Sequence, residues 1–197
     1  MRRFRAAVLI SGRGSNLRAL IEAARAEDYP AEVSVVISNR ADAPGLSFAE
    51  NQGIPARLLD RKSYPSRQTF EAALDMALRE LRIDLVALAG FMQVLSPVFV
   101  DAWKGRIVNI HPSLLPDYRG LNTHERALAD GASVHGCTVH HVTSELDAGP
   151  VIMQASVPIL EGDTPETLAK RVLQEEHRLY PKALASLADQ LSPKLPR

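Results

Sequence analysis

The sequence predicts an α/β fold, a mostly parallel sheet flanked by helices, and three observations predict it. Apolar runs of strand length alternate with stretches of helical period, the pattern of parallel strands joined by crossover helices. The 197 residues suffice to bury one sizeable core, so one domain over 1–197 is the expectation. The second half changes character: two strand-like segments follow one another across a loop, which adds strands beside the parallel core in the C-terminal half.

Along the chain, Ala6 to Ile10 reads as the first buried strand, followed by the glycine-containing turn Ser11-Gly12-Arg13-Gly14 and an amphipathic helix at about Asn16 to Ala26. Val33 to Ser38 is the second strand, and helices follow at about Ala43 to Gln52 and Arg67 to Leu81. Leu85 to Ala89 is a third strand. Arg106 to Ile110 is another, its β-branched residues lying between the turn at Lys104-Gly105 and the breaker Pro112. Gly136 to Val142 and Val151 to Ile159 are the appended pair. Thr164-Pro165-Glu166-Thr167 supplies an N-cap, a proline at the first helical position and an acid in the first turn, so a long helix starts there and runs to about Tyr180. Pro181 is a point of interruption, with helix resuming to about Ala188, and the tail Ser192 to Arg197 reads as disordered.

Composition narrows the functional classes. Lys plus Arg balances Asp plus Glu at 23 each, so no global field favours nucleic acid or an anionic membrane, and any phosphate must be bound locally by a loop. The lone Cys137 excludes an internal disulfide and any multi-cysteine metal site, which fits a reducing, cytoplasmic setting. The basic start Met1-Arg2-Arg3-Phe4-Arg5 is followed by an apolar run too short for a signal peptide, and no stretch is long enough to span a bilayer.

Two motifs carry chemistry by their own residues. Ser11-Gly12-Arg13-Gly14-Ser15-Asn16 lies between the first strand and first helix, where glycines let the backbone approach a ligand and free N–H groups attract an anion. An ordinary strand-to-helix turn capped by Ser15 or Asn16 has the same spacing. A dinucleotide fingerprint fits less well, because Leu17 stands where a third glycine belongs, although Arg40 after the second strand keeps an NADP enzyme open. The second motif is Asn109-Ile110-His111-Pro112-Ser113, at the carboxyl end of a core strand. Alternation turns Asn109 and His111 to one face, where an amide can donate to a developing oxyanion and an imidazole can donate a proton or stabilise charge. A histidine bonded there for structural reasons is the competing reading. Asp147, in Leu146-Asp147-Ala148-Gly149-Pro150, could hold a histidine charged, but its sequence spacing shows no contact and a turn residue is the alternative. His111, His124, His135, His140 and His141 lack the spacing of a helical zinc site, so no catalytic metal is expected. Cys137 reads as a small buried hydrophobe.

Taken together, Leu9-Ile10-Ser11-Gly12-Arg13-Gly14-Ser15-Asn16, Ala89-Gly90-Phe91-Met92, Ile110-His111-Pro112-Ser113-Leu114-Leu115-Pro116 and Leu146-Asp147-Ala148-Gly149-Pro150-Val151-Ile152 resemble, in order and separation, the phosphoribosylglycinamide formyltransferases. The resemblance covers almost the whole chain. It implies a mononucleotide-binding, Rossmann-like sheet at whose carboxyl ends 10-formyltetrahydrofolate, as co-substrate, meets glycinamide ribonucleotide, with no metal. It also implies a catalytic trio: Asn109 and His111 stabilising the tetrahedral oxyanion, and Asp147 holding His111 charged and assisting proton transfer. Gly14, Ser15 and Asn16 correspond to the ribonucleotide phosphate loop. Leu173, Gln174, Glu175 and Glu176 correspond to the segment meeting the glycinamide end, with Glu176 contacting the amine. On the folate side, Arg67 matches a position that meets the glutamate tail. Met92, Gln93, Val94, Leu95, Asn109 and the loop Thr143, Ser144, Glu145, Leu146 and Asp147 would hold the pterin.

Two positions depart from that pattern. Gln93 stands where arginine is common beside the pterin, and Asn122 replaces a histidine common before Thr123-His124. Methionyl-tRNA formyltransferase and formyltetrahydrofolate hydrolase share the Asn-x-His and Asp signals, but the tRNA enzyme carries an extra carboxyl-terminal domain and the hydrolase an amino-terminal one. A non-catalytic folate or nucleotide sensor is the alternative outside enzymology. Partners are therefore expected to be the two small molecules, with no nucleic acid and no membrane, for a monomer or homodimer.

Overall fold

The computed structural model describes residues 2–192. Seven strands form one sheet: β1 (Phe4–Ile10), β2 (Ala31–Ser38), β3 (Ala56–Leu58), β4 (Leu85–Leu88), β5 (Ile107–His111), β6 (Val134–His141) and β7 (Val151–Pro158), in the order β3-β2-β1-β4-β5-β6-β7. The first five are parallel, whereas β6 runs antiparallel to β5 and β7 antiparallel to β6. This is the expected α/β architecture with its added pair. From β1 the chain moves outward through β2 and β3, then returns to place β4 and β5 on the other side. The reversal opens a crevice at the carboxyl ends of β1 and β4, where open sheets of this kind take their ligands.

Alternation along β1 supplies both halves of the core. Ala6, Val8 and Ile10 join one buried cluster with Leu17, Leu20, Val172 and Leu184, while Ala7 and Leu9 join the other with Phe70, Leu74, Phe99 and Trp103. The first cluster thus packs α1 (Ser15–Ala23) and α6 (Pro165–Leu191) on one face of the sheet, and the second packs α3 (Arg67–Glu80) and α4 (Pro97–Ala102) on the other. α2 (Pro44–Asn51), α5 (Thr123–Ala129) and a short 3-10 helix (Arg61–Ser63) are the other helices among the described residues.

The structure corrects the expectations in a few places. Helix α6 is continuous through Pro181. An interior proline removes one hydrogen bond and costs about 3 kcal/mol. Leu179, Tyr180, Ala183, Leu184, Leu187 and Ala188 are all buried around it, and full burial of one large apolar side chain contributes about 1.5–3 kcal/mol, so packing outweighs the proline. The Tyr29 hydroxyl also donates to the Pro181 carbonyl at 2.7 Å. Helix α1 ends at Ala23 because tighter bonds, Arg25 N–H to the Glu22 carbonyl and Ala26 N–H to the Ala23 carbonyl, wind down its last turn. β3, α4 and α5 were not anticipated. Of the tail, Ser192 closes α6, and positions 193–197 lie outside the described residues.

Candidate active site

β5 delivers Asn109 and His111 to the same face, as alternation requires, while Val108 and Ile110 enter the core. The antiparallel register sets His140 opposite Asn109 and Thr138 opposite His111, so β6 contributes to that face as well. Asp147 follows β6 in a loop, its backbone in the left-handed region at φ 48°. This turn brings its carboxylate back over the sheet: Asp147 Oδ2 lies 3.4 Å from His111 Nδ1, and Oδ1 lies 3.7 Å from His140 Nε2. The Gly120 amide donates to Asp147 Oδ2 at 3.0 Å. The three residues expected to form a trio are therefore brought together, and His140 joins them.

Hydrogen bonding orients the rings. His111 Nε2 sits 3.0 Å from the Tyr118 carbonyl, which can only accept, so that nitrogen carries a proton and Nδ1 faces Asp147. His140 Nδ1 lies 2.9 Å from the His141 carbonyl and must donate to it. Burial pushes the His140 imidazole below its ordinary range, which leaves Nε2 unprotonated and able to accept from Asn109 Nδ2 at 3.3 Å. One Asn109 N–H is thereby fixed on His140, and the other has no hydrogen-bond partner among the described residues.

The segment after His111 is pinned from below. The Thr138 hydroxyl, fully buried, donates to the Ser113 carbonyl at 2.7 Å and accepts from the Leu115 amide at 3.0 Å. Gln154 Nε2 on β7 donates to the Leu115 carbonyl at 2.9 Å. Asn122, the departure before Thr123-His124, has φ 54°, a conformation that asparagine tolerates better than most residues.

Across the crevice, Gly14 starts α1 at φ 71° with no side-chain cap, leaving the first helical N–H groups to a ligand. Gly45 lets α2 approach this loop, its amide donating to the Gly12 carbonyl at 3.2 Å. Ser15 is half-buried and Asn16 buried. Asn16 Nδ2 donates to Glu176 Oε2 at 2.6 Å, while its buried Oδ1 has no partner among the described residues. Burial raises the Glu176 carboxyl above its ordinary value and the Asn16 amide opposes that rise. The phosphate loop and the α6 carboxylate are thus joined directly. The neighbours differ: Leu173 is half-buried, Gln174 is exposed, and Glu175 pairs with Arg178 at 2.6 Å.

The loop after β4 starts at Gly90, φ 76°. Met92 and Val94 project into solvent at 66% and 57% exposure, whereas Leu95 is buried in the core, so the apolar wall expected from Met92, Val94 and Leu95 is formed at its surface by the first two. Gln93 is half-buried. The Met92 amide donates to Ser11 Oγ at 2.7 Å, which ties this loop to the end of β1. Arg67 opens α3 and stays largely exposed. In the Asp147 loop, Thr143 Oγ1 donates to the Glu145 carbonyl at 3.1 Å, Ser144 and Leu146 are exposed, and Glu145 pairs with Arg119 at 2.7 Å. Sequence reasoning missed the roles of His140 and Thr138, which only a known β5–β6 register would have found, and the tie of Ser11, already within the phosphate-loop motif, to Met92.

Cys137 is buried within β6, and burial pushes its thiol up to about 12, the behaviour of a packing residue. Among the described residues no three His, Cys, Asp or Glu side chains converge to hold a metal ion, and no helix is long and apolar enough to cross a membrane.

An amide, an imidazole and a carboxylate meeting at the crevice of such a sheet are suited to acyl transfer. The sequence pattern described as "Formyl transferase" matches residues 4–184, and the chain belongs to that family. It is 47% identical over 182 residues to phosphoribosylglycinamide formyltransferase of Escherichia coli (strain K12), spanning 92% of this chain and 86% of that protein. It is 50% identical over 184 residues to the human trifunctional purine biosynthetic protein adenosine-3, covering 93% of this chain but only 18% of that much longer protein. The crystal structure of phosphoribosylglycinamide formyltransferase from Brucella melitensis superposes with a TM-score of 0.92 at 51% identity, covering 95% of this chain and 96% of that one.

Proposed function

We propose that the chain transfers the formyl group of 10-formyltetrahydrofolate to the amine of glycinamide ribonucleotide, giving formylglycinamide ribonucleotide for purine synthesis. The observation that carries this reading is the convergence of Asn109, His111 and Asp147 across the crevice from the helix terminus at Gly14 to Asn16. The ribonucleotide phosphate binds the free N–H groups of that terminus, and its amine reaches toward Glu176. Met92, Gln93 and Val94, with the segment Thr143 to Asp147, hold the pterin, and Arg67 pairs with the glutamate tail.

The amine nitrogen attacks the formyl carbon, and the formyl oxygen becomes an oxyanion. The free N–H of Asn109 donates to it. His111 supplies a second donor, for which the Nε2–H now held by the Tyr118 carbonyl is available once substrate displaces that carbonyl. One well-aimed donor of this type contributes a rate factor of about 100–1000. Collapse forms the new amide and breaks the bond to folate N10, while the proton lost by the amine passes through the Asp147 carboxylate and water to N10. We also propose that residues 1–197 act as one formyltransferase domain, monomeric or homodimeric, in the cytoplasm.

The reading is tested by following deformylation of 10-formyltetrahydrofolate spectrophotometrically with glycinamide ribonucleotide, with water alone and with initiator methionyl-tRNA as acceptor. Turnover that requires the ribonucleotide is expected. Turnover without an acceptor would mark a hydrolase, turnover only with tRNA would mark the translation enzyme, and folate binding without turnover would mark a sensor.

A further inference from the structure

Glu71 is a carboxylate in the core region of α3 that the mechanism above does not use. Its side chain is 5% exposed, on the helix that sends Phe70 and Leu74 into the core. Burying an ionised carboxylate is unfavourable unless it is fully partnered, so its partners reveal what it is for. Oε1 accepts from the Ser96 backbone N–H at 2.8 Å, and Oε2 accepts from the Ser96 hydroxyl. Oε1 also lies 3.9 Å from Nε of Arg67, one helical turn earlier.

Those partners are the two ends of the proposed folate site. Ser96 closes the loop carrying Met92, Gln93 and Val94 and caps α4 by accepting from the Phe99 amide. The other end of that loop is clamped at Met92 by Ser11. Between the clamps Met92 and Val94 are exposed, and besides the clamps the loop is anchored by Leu95, which is buried in the core. Arg67, at the far end of the site, has no closer carboxylate than Glu71 among the described residues.

We infer that Glu71 is a positioning residue for the folate co-substrate: one buried charge fixes the pterin-side loop through Ser96 and aims Arg67 at the glutamate tail. The inference rests on the functional reading above. It assigns Glu71 to one substrate, since among the described residues its hydrogen bonds and ion pair go to Ser96 and Arg67 and not to Gly14, Asn16 or Glu176 on the ribonucleotide side.

The test is steady-state kinetics of Glu71→Ala and Glu71→Gln beside the wild type, varying each substrate at saturating levels of the other, with circular dichroism and Tm to establish folding. Glu71→Ala is expected to raise the folate KM by about 10-fold or more, to leave kcat within about threefold, and to leave the ribonucleotide KM in place. Glu71→Gln keeps an acceptor for the Ser96 amide but loses the charge, so a smaller rise, about threefold or more, is expected; this variant decides the matter if the alanine form does not fold. An unmoved folate KM in a folded variant overturns the inference, and so does an equal rise in both KM values, which would mark Glu71 as a general structural residue. A wild type without ribonucleotide-dependent turnover would remove the functional reading and this inference with it. An active wild type with unmoved variants removes the inference alone.

Discussion

His140 controls Asn109 through one hydrogen bond. Its Nδ1 proton is committed to the His141 carbonyl, burial keeps the ring neutral, and Nε2 therefore holds one N–H of the Asn109 amide. Without that acceptor the amide can rotate and present its oxygen to the developing oxyanion. His140→Leu is expected to lower kcat by about 10-fold with little change in either KM, as for loss of one aligned hydrogen bond; steady-state kinetics on the purified variant measures it, and an unchanged kcat would show that Asn109 is held by other means. At this scale the sequence was legible for Asn109 and His111, because strand alternation alone puts them on one face. It was silent on His140, whose role depends on pairing with β5. The Asp147 contact is legible only through the family resemblance, because spacing does not show where a loop far away in sequence folds back.

Elements were legible where their pattern was long. β1, β2, β4, β5, β6 and β7 each carry an apolar or alternating run that fixes their identity. β3 is a three-residue edge strand whose Ala-Arg-Leu has no period to read, and α4 and α5, with six and seven residues, complete too few turns to show one. The local proline rule failed at Pro181 because it ignores the buried face on either side. The loop between β6 and β7 shows the reverse case, where a local residue dictates an element's path. A Cβ placed on Gly149 would lie 1.8 Å from the His141 carbonyl oxygen, a backbone atom that cannot step aside. Gly149→Ala must therefore push the loop off β6 and carry Asp147 away from His111. A loss of stability of about 1–3 kcal/mol is expected by chemical denaturation, together with a fall in kcat larger than the fall in folded fraction. A variant as stable and as active as the wild type would show that the loop has another route.

Over the whole molecule, burial pushes five of the six histidines below their ordinary value of 6.5: His124, His135, His140, His141 and His177. His135 is pushed to about 4 by burial, its ring packed edge-on to Tyr118 and His124. Unfolded histidines take up protons near 6.5 that the folded protein refuses. This contribution to stability is complete above 6.5 and is lost as pH falls through 6.5 toward the folded values, about 4 for His135. Tm is expected to drop between about pH 7 and pH 5. His135→Phe keeps the ring packing and removes the titration, so its Tm is expected to fall less over that range; identical slopes in calorimetry would contradict the assignment. Formyl transfer is placed where Asn109, His111, His140 and Asp147 meet. Single-turnover formyl transfer by the wild type, His111→Ala and Asp147→Asn at saturating concentrations of both substrates is the decisive measurement. A fall of more than about 100-fold in the transfer rate, with folding and substrate binding retained, is the result expected for lost oxyanion and proton-transfer help. Near-wild-type transfer in either folded variant would place the chemistry elsewhere in the crevice.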